Sequence, residues 1–130
     1  VIISFALCQR QSVTLLNNVF ISWENTGTFT LFNVTSPLTG VNVNNAWLAV
    51  GLKDVNQGMA DISAVICRND NGRTSVQSYL NSQFTSNLLS SSNPSVGLSS
   101  SSVSVVSNNL TCSFRRENSI SQNGFYSVSQ

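Results

Sequence analysis

Apolar and polar residues alternate in short runs along the whole chain, and this period of two limits the fold more than any other feature. Residues 19–23 and 109–114 each place every second, apolar side chain on one face, as a half-buried β-strand requires. Polar turn signals such as Asn71-Gly72 separate the runs, at roughly 10-residue spacing. No stretch keeps the i, i+3, i+4, i+7 spacing of an amphipathic helix for three turns. The sequence therefore predicts an all-β fold, an antiparallel two-sheet β-sandwich of the immunoglobulin-like type.

Individual segments are expected to differ in their place in this sandwich. Residues 47–52 and 62–67 are nearly continuous in apolar character, which predicts central strands covered on both faces. Residues 125–128 begin a final strand after a turn. Residues 81–102 are rich in Ser and Asn and predict a long surface connection between strands. Residues 1–7 are apolar, and we interpret them as an N-terminal strand rather than the tail of a signal-peptide core.

The composition excludes several classes of function. The 130 residues are enough for one domain, residues 1–130, and too few for two. Only 8% of them are charged, against about 25% in a typical soluble domain, and 24 serines and 17 asparagines take the place of charge. With a net charge of +1 there is no basic patch for a nucleic acid. Histidine is absent, so no Ser-His-Asp triad, Cys-His pair or His-ligated metal forms within these residues.

Three cysteines favour an oxidising compartment. They are Cys8, Cys67 and Cys112, and no CxxC spacing points to zinc or thioredoxin-type chemistry. We expect a disulfide between Cys8 and Cys112, because an N-terminal and a late strand of a sandwich can lie side by side or across the core. Cys67 with Cys112 is the alternative. A third alternative is that all three cysteines are small, buried, unbridged side chains in a cytosolic protein.

Two sequons also favour secretion. Asn33-Val34-Thr35 and Asn109-Leu110-Thr111 fit the acceptor pattern for N-glycosylation, whereas Pro94 excludes the sequon at Asn93. A glycan would supply the solubility that the few charges do not. We therefore expect an extracellular protein with Asn33 and Asn109 as glycosylation sites, although chance sequons are common in so Asn- and Ser-rich a chain.

Few residues are suited to chemistry. Of five acidic residues, Asp54 and Asp61 are the one pair close enough in sequence to test as catalytic or cation-binding carboxylates, but turn formation and backbone capping explain them equally well. Met59 lies in a polar loop, where its thioether could ligate haem iron instead of filling the core. Trp23 and Trp47 lie on apolar strands, which favours burial over exposure in a carbohydrate-binding groove.

Five segments carry a pattern that is shared with a known family. They are Trp47-Leu48-Ala49-Val50-Gly51, the loop with Gly58, Met59 and Asp61, the strand 62–67, Val76-Gln77-Ser78-Tyr79 and Leu110-Thr111-Cys112-Ser113-Phe114-Arg115-Arg116. Together these segments resemble a DOMON domain, of the dopamine β-monooxygenase N-terminal-like family, and among such domains those of animal ferric-chelate-reductase-like proteins. The resemblance covers roughly residues 8–128. It implies an extracellular β-sandwich that binds haem b or a sugar, or acts as an interaction module.

The resemblance also bears on cofactors. Met59 matches the family's haem-ligating methionine, but the second ligand of that type is a histidine just beyond the last strand, and these residues contain none. Either that ligand lies further along a longer chain, or this member does not bind haem through Met and His. Haem b therefore stays an alternative, with Met59 as its candidate ligand.

We expect an extracellular binding, interaction or assembly module with no catalytic activity of its own. Its partners would be another extracellular protein, copies of itself or a carbohydrate, with no nucleic acid and no membrane span in these residues. One alternative is a haem b electron-transfer domain of a longer oxidoreductase. Another is an extracellular filament in which residues 1–7 complete the sheet of the neighbouring subunit.

Overall fold

The computed structural model describes residues 2–3, 10–53, 62–82 and 85–128. Ten strands form in this part of the chain, and its one helical segment is the 3₁₀ turn Leu16–Asn18, far too short to cross a membrane. The strands are β1 (Ile2–Ile3), β2 (Arg10–Thr14), β3 (Phe20–Asn25), β4 (Phe29–Pro37), β5 (Asn45–Leu52), β6 (Ile62–Asp70), β7 (Arg73–Ser82), β8 (Thr85–Leu88), β9 (Leu98–Val106) and β10 (Asn109–Glu117).

The strands form two five-stranded sheets, which confirms the predicted β-sandwich. Sheet I has the order β1-β5-β6-β7-β8 and sheet II the order β2-β3-β4-β10-β9. All described pairs are antiparallel except β1 with β5. Ile2 and Ile3 thus pair with Gly51 and Leu52 of their own chain. The filament hypothesis assigns such strand pairing to a neighbouring subunit, and the other residues of the 1–7 segment lie outside the described part.

The core forms between the sheets because each strand turns alternate side chains inward. Val50 and Val65 of sheet I are 0% and 2% exposed. From sheet II, the rings of Phe32 and Phe114 stack with their centroids 5.0 Å apart. Each fully buried aliphatic or aromatic side chain stabilises the fold by roughly 1.5–3 kcal/mol relative to exposure. The side chains packed between the two sheets therefore supply most of the driving force for folding.

The disulfide joins Cys67 to Cys112, so the predicted pairing of Cys8 with Cys112 is wrong and the alternative holds. Cys67 on β6 and Cys112 on β10 both point inward from opposite sheets, with their Cα atoms 6.2 Å apart. Both are fully buried. Cys8 lies outside the described residues. The bond therefore links the two layers through the centre of the core.

Residues 81–102 are not the long connection that their composition predicts. The end of β7, all of β8 and the first half of β9 fall within them. The residues before β9 are also fixed to β7, since Ser78 N donates to Pro94 O at 2.8 Å and Ser95 Oγ donates to Val76 O at 2.8 Å. Serine on both faces of an edge strand hides the alternation on which the prediction relied.

The segment after β10 is not a strand, contrary to the prediction for residues 125–128. It is held instead by Arg116, which donates to Tyr126 O at 2.6 Å and lies over the Phe125 ring at 3.9 Å. Gly97 makes room for this ring, because a Cβ there would lie 2.6 Å from Phe125 Cε2. Val128 N donates to Asn118 O at 2.7 Å. The C-terminal segment thus closes one end of the sandwich without joining a sheet.

Arg116 is a structural cation. It is 1% exposed, and it also contacts Ser63 Oγ of sheet I at 3.4 Å and Glu117 O at 3.2 Å. Burial lowers the pKa of Arg116 to about 10, which still leaves it charged at neutral pH. Its partners are backbone carbonyls and a serine hydroxyl, so Arg116 fixes the C-terminal segment to the end of the sandwich.

Candidate functional site

The outer face of sheet I carries the most distinctive surface of the described residues. Because β5 turns Val50 inward, the alternate positions Trp47, Ala49 and Gly51 face outward. The strand register then places Arg68 beside Trp47 and Ile66 beside Ala49. The next pairing places Tyr79 of β7 beside Ala64, and Ser86 of β8 beside Asn81. Outward positions of four neighbouring strands thus form one surface.

These outward side chains surround a groove of about 320 Å³, which we call the Trp47 groove. This volume lies at the lower end of the range of small-molecule sites, roughly 300–1,000 Å³. Trp47 is 64% exposed, although it lies on an otherwise apolar strand. The groove is lined by Trp47, Ala49, Ile66, Arg68, Tyr79, Asn81 and Ser86.

The apolar part of the groove is a shallow floor between two aromatic rings. Ala49 and Ile66 form the floor. Trp47 and Tyr79 lie two strands and four residues apart, so their Cα atoms are about 16 Å apart from strand spacing and rise. An apolar floor between widely spaced rings suits a flat, extended ligand rather than a compact one.

The polar groups of the groove can bond to a hydroxyl-bearing ligand. Arg68 is exposed and has no ion-pair partner among the described residues. The Tyr79 hydroxyl donates to Gln77 Oε1 at 3.2 Å, so its oxygen remains an acceptor. Asn81 Oδ1 is buried and accepts no hydrogen bond in the described part of the chain. An unsatisfied buried acceptor of this kind costs about 1–3 kcal/mol.

The comparisons with known proteins decide the family. The DOMON domain family model matches residues 15–128, which is most of the chain. The chain belongs to the DOMON domain family. Searches of curated proteins and of solved structures find no match. The closer likeness to ferric-chelate-reductase-like proteins stays a prediction.

DOMON domains are typically extracellular binding or interaction modules, and a buried disulfide is compatible with that setting. This agrees with the coarse expectation from the sequence. The groove is the feature of this DOMON domain that fits a binding role best, because it combines the exposed ring of Trp47 and the half-buried ring of Tyr79 with the exposed guanidinium of Arg68.

The structure distributes the predicted site residues unevenly. Met59, Asp54 and Asp61 lie outside the described residues, so the haem and carboxylate hypotheses stay predictions. Trp23 is 9% exposed and belongs to the core, as predicted. Trp47 does not, and the prediction that strand 47–52 is covered on both faces is wrong at this residue. Trp47 has the opposite parity to the inward Val50 along the strand, and this parity was the signal for its exposure.

Other residues of the groove were missed by the sequence reasoning. Arg68, Asn81 and Ser86 carried no motif that marked them. They meet through cross-strand register. The Asn71-Gly72 turn fixes this register between β6 and β7, but no turn signal fixes it toward β5 or β8.

Proposed function

We propose that this DOMON domain is a non-catalytic carbohydrate-binding module and that the Trp47 groove holds the sugar. The observation that carries the proposal is the exposed indole of Trp47 beside the exposed guanidinium of Arg68. The C–H face of a pyranose ring packs on the negative face of an aromatic ring, while its hydroxyl groups require hydrogen-bonding partners around the edge. The groove offers both in one place.

The polar groups suit different parts of such a ligand. Arg68 donates to ring hydroxyls, and its planar fork favours a carboxylate where the sugar is a uronic acid. The Asn81 side chain lines the groove, and its amide would rotate so that the buried Oδ1 accepts from a hydroxyl. The roughly 16 Å between the Cα atoms of Trp47 and Tyr79 favours an oligosaccharide over a monosaccharide.

An oligosaccharide array with neutral and uronic-acid members tests the proposal, followed by titration of the members that bind. We expect Trp47→Ala to weaken binding about 10- to 30-fold, the loss typical of a truncated aromatic anchor. Trp47→Phe, which keeps a ring, should lose only a few-fold. Arg68→Gln should weaken uronic-acid members more than neutral ones.

A matched control is Phe20→Ala on the outer face of sheet II, where Phe20 is 41% exposed. This variant should bind as tightly as the wild type. Equal affinity of Trp47→Ala and the wild type, or no binding by any member of the array, would contradict the proposal.

The haem alternative has its own test. Haem b added to the purified protein should give a reduced low-spin visible spectrum that disappears in Met59→Ala if the domain transfers electrons. The carbohydrate proposal predicts a protein that takes up no haem.

A further inference from the structure

The two sequons, 76 residues apart in sequence, meet on one face of the fold. Thr35 of β4 pairs with Thr111 of β10, and Asn33 pairs with Ser113. The hydroxyl oxygens of Thr35 and Thr111 lie 3.3 Å apart, within hydrogen-bond distance. Both sequons therefore run antiparallel to each other in neighbouring strands, with their asparagines and threonines on the outer face of sheet II.

We propose that Asn33 and Asn109 both carry N-linked glycans, which cover the outer face of sheet II and leave the Trp47 groove open. Four residues along β10 and one strand separate the two asparagines, so their Cα atoms lie about 14 Å apart. At that spacing the first sugars of the two glycans do not overlap. No protein atom of sheet II needs to move to accommodate either one, because both residues are outward.

The surroundings of Asn33 fit a sugar. Its cross-strand neighbours are the small residues Ser22 and Ser113. Ser113 Oγ donates to Asn33 Oδ1 at 3.1 Å, and no described residue accepts from Asn33 Nδ2, the nitrogen that a glycan would occupy. Leu31, two residues earlier on the same face, is 42% exposed. The apolar face of the first sugar packs on Leu31, which removes that side chain from water.

Asn109 tolerates the same modification. It begins β10 and is half-buried beside the hairpin turn at Ser107 and Asn108. Its Nδ2 donates to Ser107 O at 3.3 Å. A glycosylated asparagine amide keeps one N–H, which is available to donate to Ser107 O.

The chemistry is a group transfer from a lipid-diphosphate-linked oligosaccharide. The asparagine Nδ2 forms a bond to the anomeric carbon of the first sugar and loses one proton. The bond from that carbon to the diphosphate oxygen breaks, and the lipid diphosphate leaves with the electron pair. No oxidant or reductant takes part.

The site test uses the full chain with a secretion leader in a eukaryotic cell line. Secreted and cell-retained protein is treated with peptide N-glycosidase in ¹⁸O water, which converts each modified asparagine to a labelled aspartate. We expect label at Asn33 and Asn109 and none at Asn93. Asn33→Gln and Asn109→Gln should each lose one glycan by intact mass. Thr35→Ala should lose the glycan at Asn33, whereas Thr35→Ser should keep it.

The face assignment needs a second readout that does not depend on sugar binding by the groove. Acrylamide quenching of the exposed Trp47 should be the same before and after glycan removal. Arg73→Asn supplies the matched control, because it creates the sequon Asn-Thr-Ser on the outer face of sheet I, where residue 73 pairs with Asp70. A glycan there should reduce the quenching of Trp47.

Each outcome bears on the proposal. No label at Asn33 or Asn109, or label at only one of them, would overturn it. Increased quenching of Trp47 after removal of the native glycans would overturn the face assignment. Because neither readout needs a ligand, the glycan proposal can fail while the carbohydrate-binding proposal stands, and the reverse.

Discussion

The two outer faces of this sandwich obey the same alternation but carry different chemistry. The outer face of sheet I has Trp47, Tyr79 and the cation Arg68 around an apolar floor of Ala49 and Ile66. The outer face of sheet II is largely hydroxylated, with one row that crosses all five strands and consists of Ser12, Ser22, Asn33, Ser113 and Ser102. Polarity patterning decides which side chains face outward, but residue type and register decide what each face can bind.

The two tryptophans give the sharpest version of this comparison. Trp23→Ala should lower the free energy of unfolding by about 3–5 kcal/mol, because it removes a buried ring from the core. Trp47→Ala should change it by less than about 0.5 kcal/mol, since an exposed ring contributes little packing. Urea unfolding followed by circular dichroism measures both. Equal losses would mean that Trp47 is a packing residue and not a binding one.

The disulfide ties the two faces together, so its loss should affect both. In the chain-entropy model, closing the loop between Cys67 and Cys112, 45 residues apart in sequence, stabilises by about 4 kcal/mol. We expect the double variant Cys67→Ala/Cys112→Ala to lose about 2–4 kcal/mol in urea unfolding. Cys8→Ala serves as the control and should stay within about 0.5 kcal/mol. A larger loss from Cys8→Ala than from the double variant would restore the pairing first predicted.

Arg116 closes one end of the sandwich. It should contribute to stability but not to ligand binding on either outer face. Arg116→Met leaves Tyr126 O without its donor, and we expect a loss of about 1–3 kcal/mol in stability with unchanged ligand affinity. A parallel loss of affinity in the folded variant would show that this end of the sandwich shapes the groove.

The pH dependence of stability checks the charge of Arg116. Because burial lowers its pKa to about 10, the folded state would release this proton before the unfolded state does. The cost of burying the cation is therefore constant below that pH and falls only as pH rises through it. Between about pH 6 and 9, wild type and Arg116→Met should differ by a constant amount in urea unfolding. A difference that changes within this window would mean that Arg116 is not a permanent cation.

The smallest effect is expected on the outer face of sheet II. Ser113→Ala removes the exposed hydrogen bond to Asn33 Oδ1 and should change stability by less than about 0.5 kcal/mol. Differential scanning calorimetry of the unglycosylated protein measures it. A loss above about 1 kcal/mol would show that the hydroxyl rows of sheet II stabilise the fold.

The sequence predicted the sandwich well because alternation is a local signal. Residues 20–23 of the predicted run 19–23 lie in β3, residues 109–114 lie in β10, and the Asn71-Gly72 turn adopts the positive φ angles expected of it. The prediction failed at β9, where serine occupies both faces of the strand and polarity does not alternate. Serine tolerates both faces of β9, so that strand looked like a connection.

The groove and the disulfide were harder to predict for a different reason. Both depend on which strands become neighbours. The Asn71-Gly72 turn fixes the register between β6 and β7, but no local pattern encodes the register between β5 and β6 or which strands face each other across the core. Cys67 and Cys112 meet because β6 and β10 face each other across the core. Trp47 and Arg68 meet because of one cross-strand pairing. Contacts between distant segments are settled only when the whole fold forms.

Acrylamide quenching of tryptophan fluorescence, with and without a bound oligosaccharide, tests the central claim most directly. Trp23 is buried and should contribute almost no quenching, so the quenched signal reports Trp47. If the outer face of sheet I is the ligand face, a saturating oligosaccharide from the array will reduce the quenching of Trp47 by acrylamide. In Trp47→Phe the quenched component of the fluorescence will be absent. Saturation by the sugar that leaves Trp47 fully open to acrylamide would contradict the account.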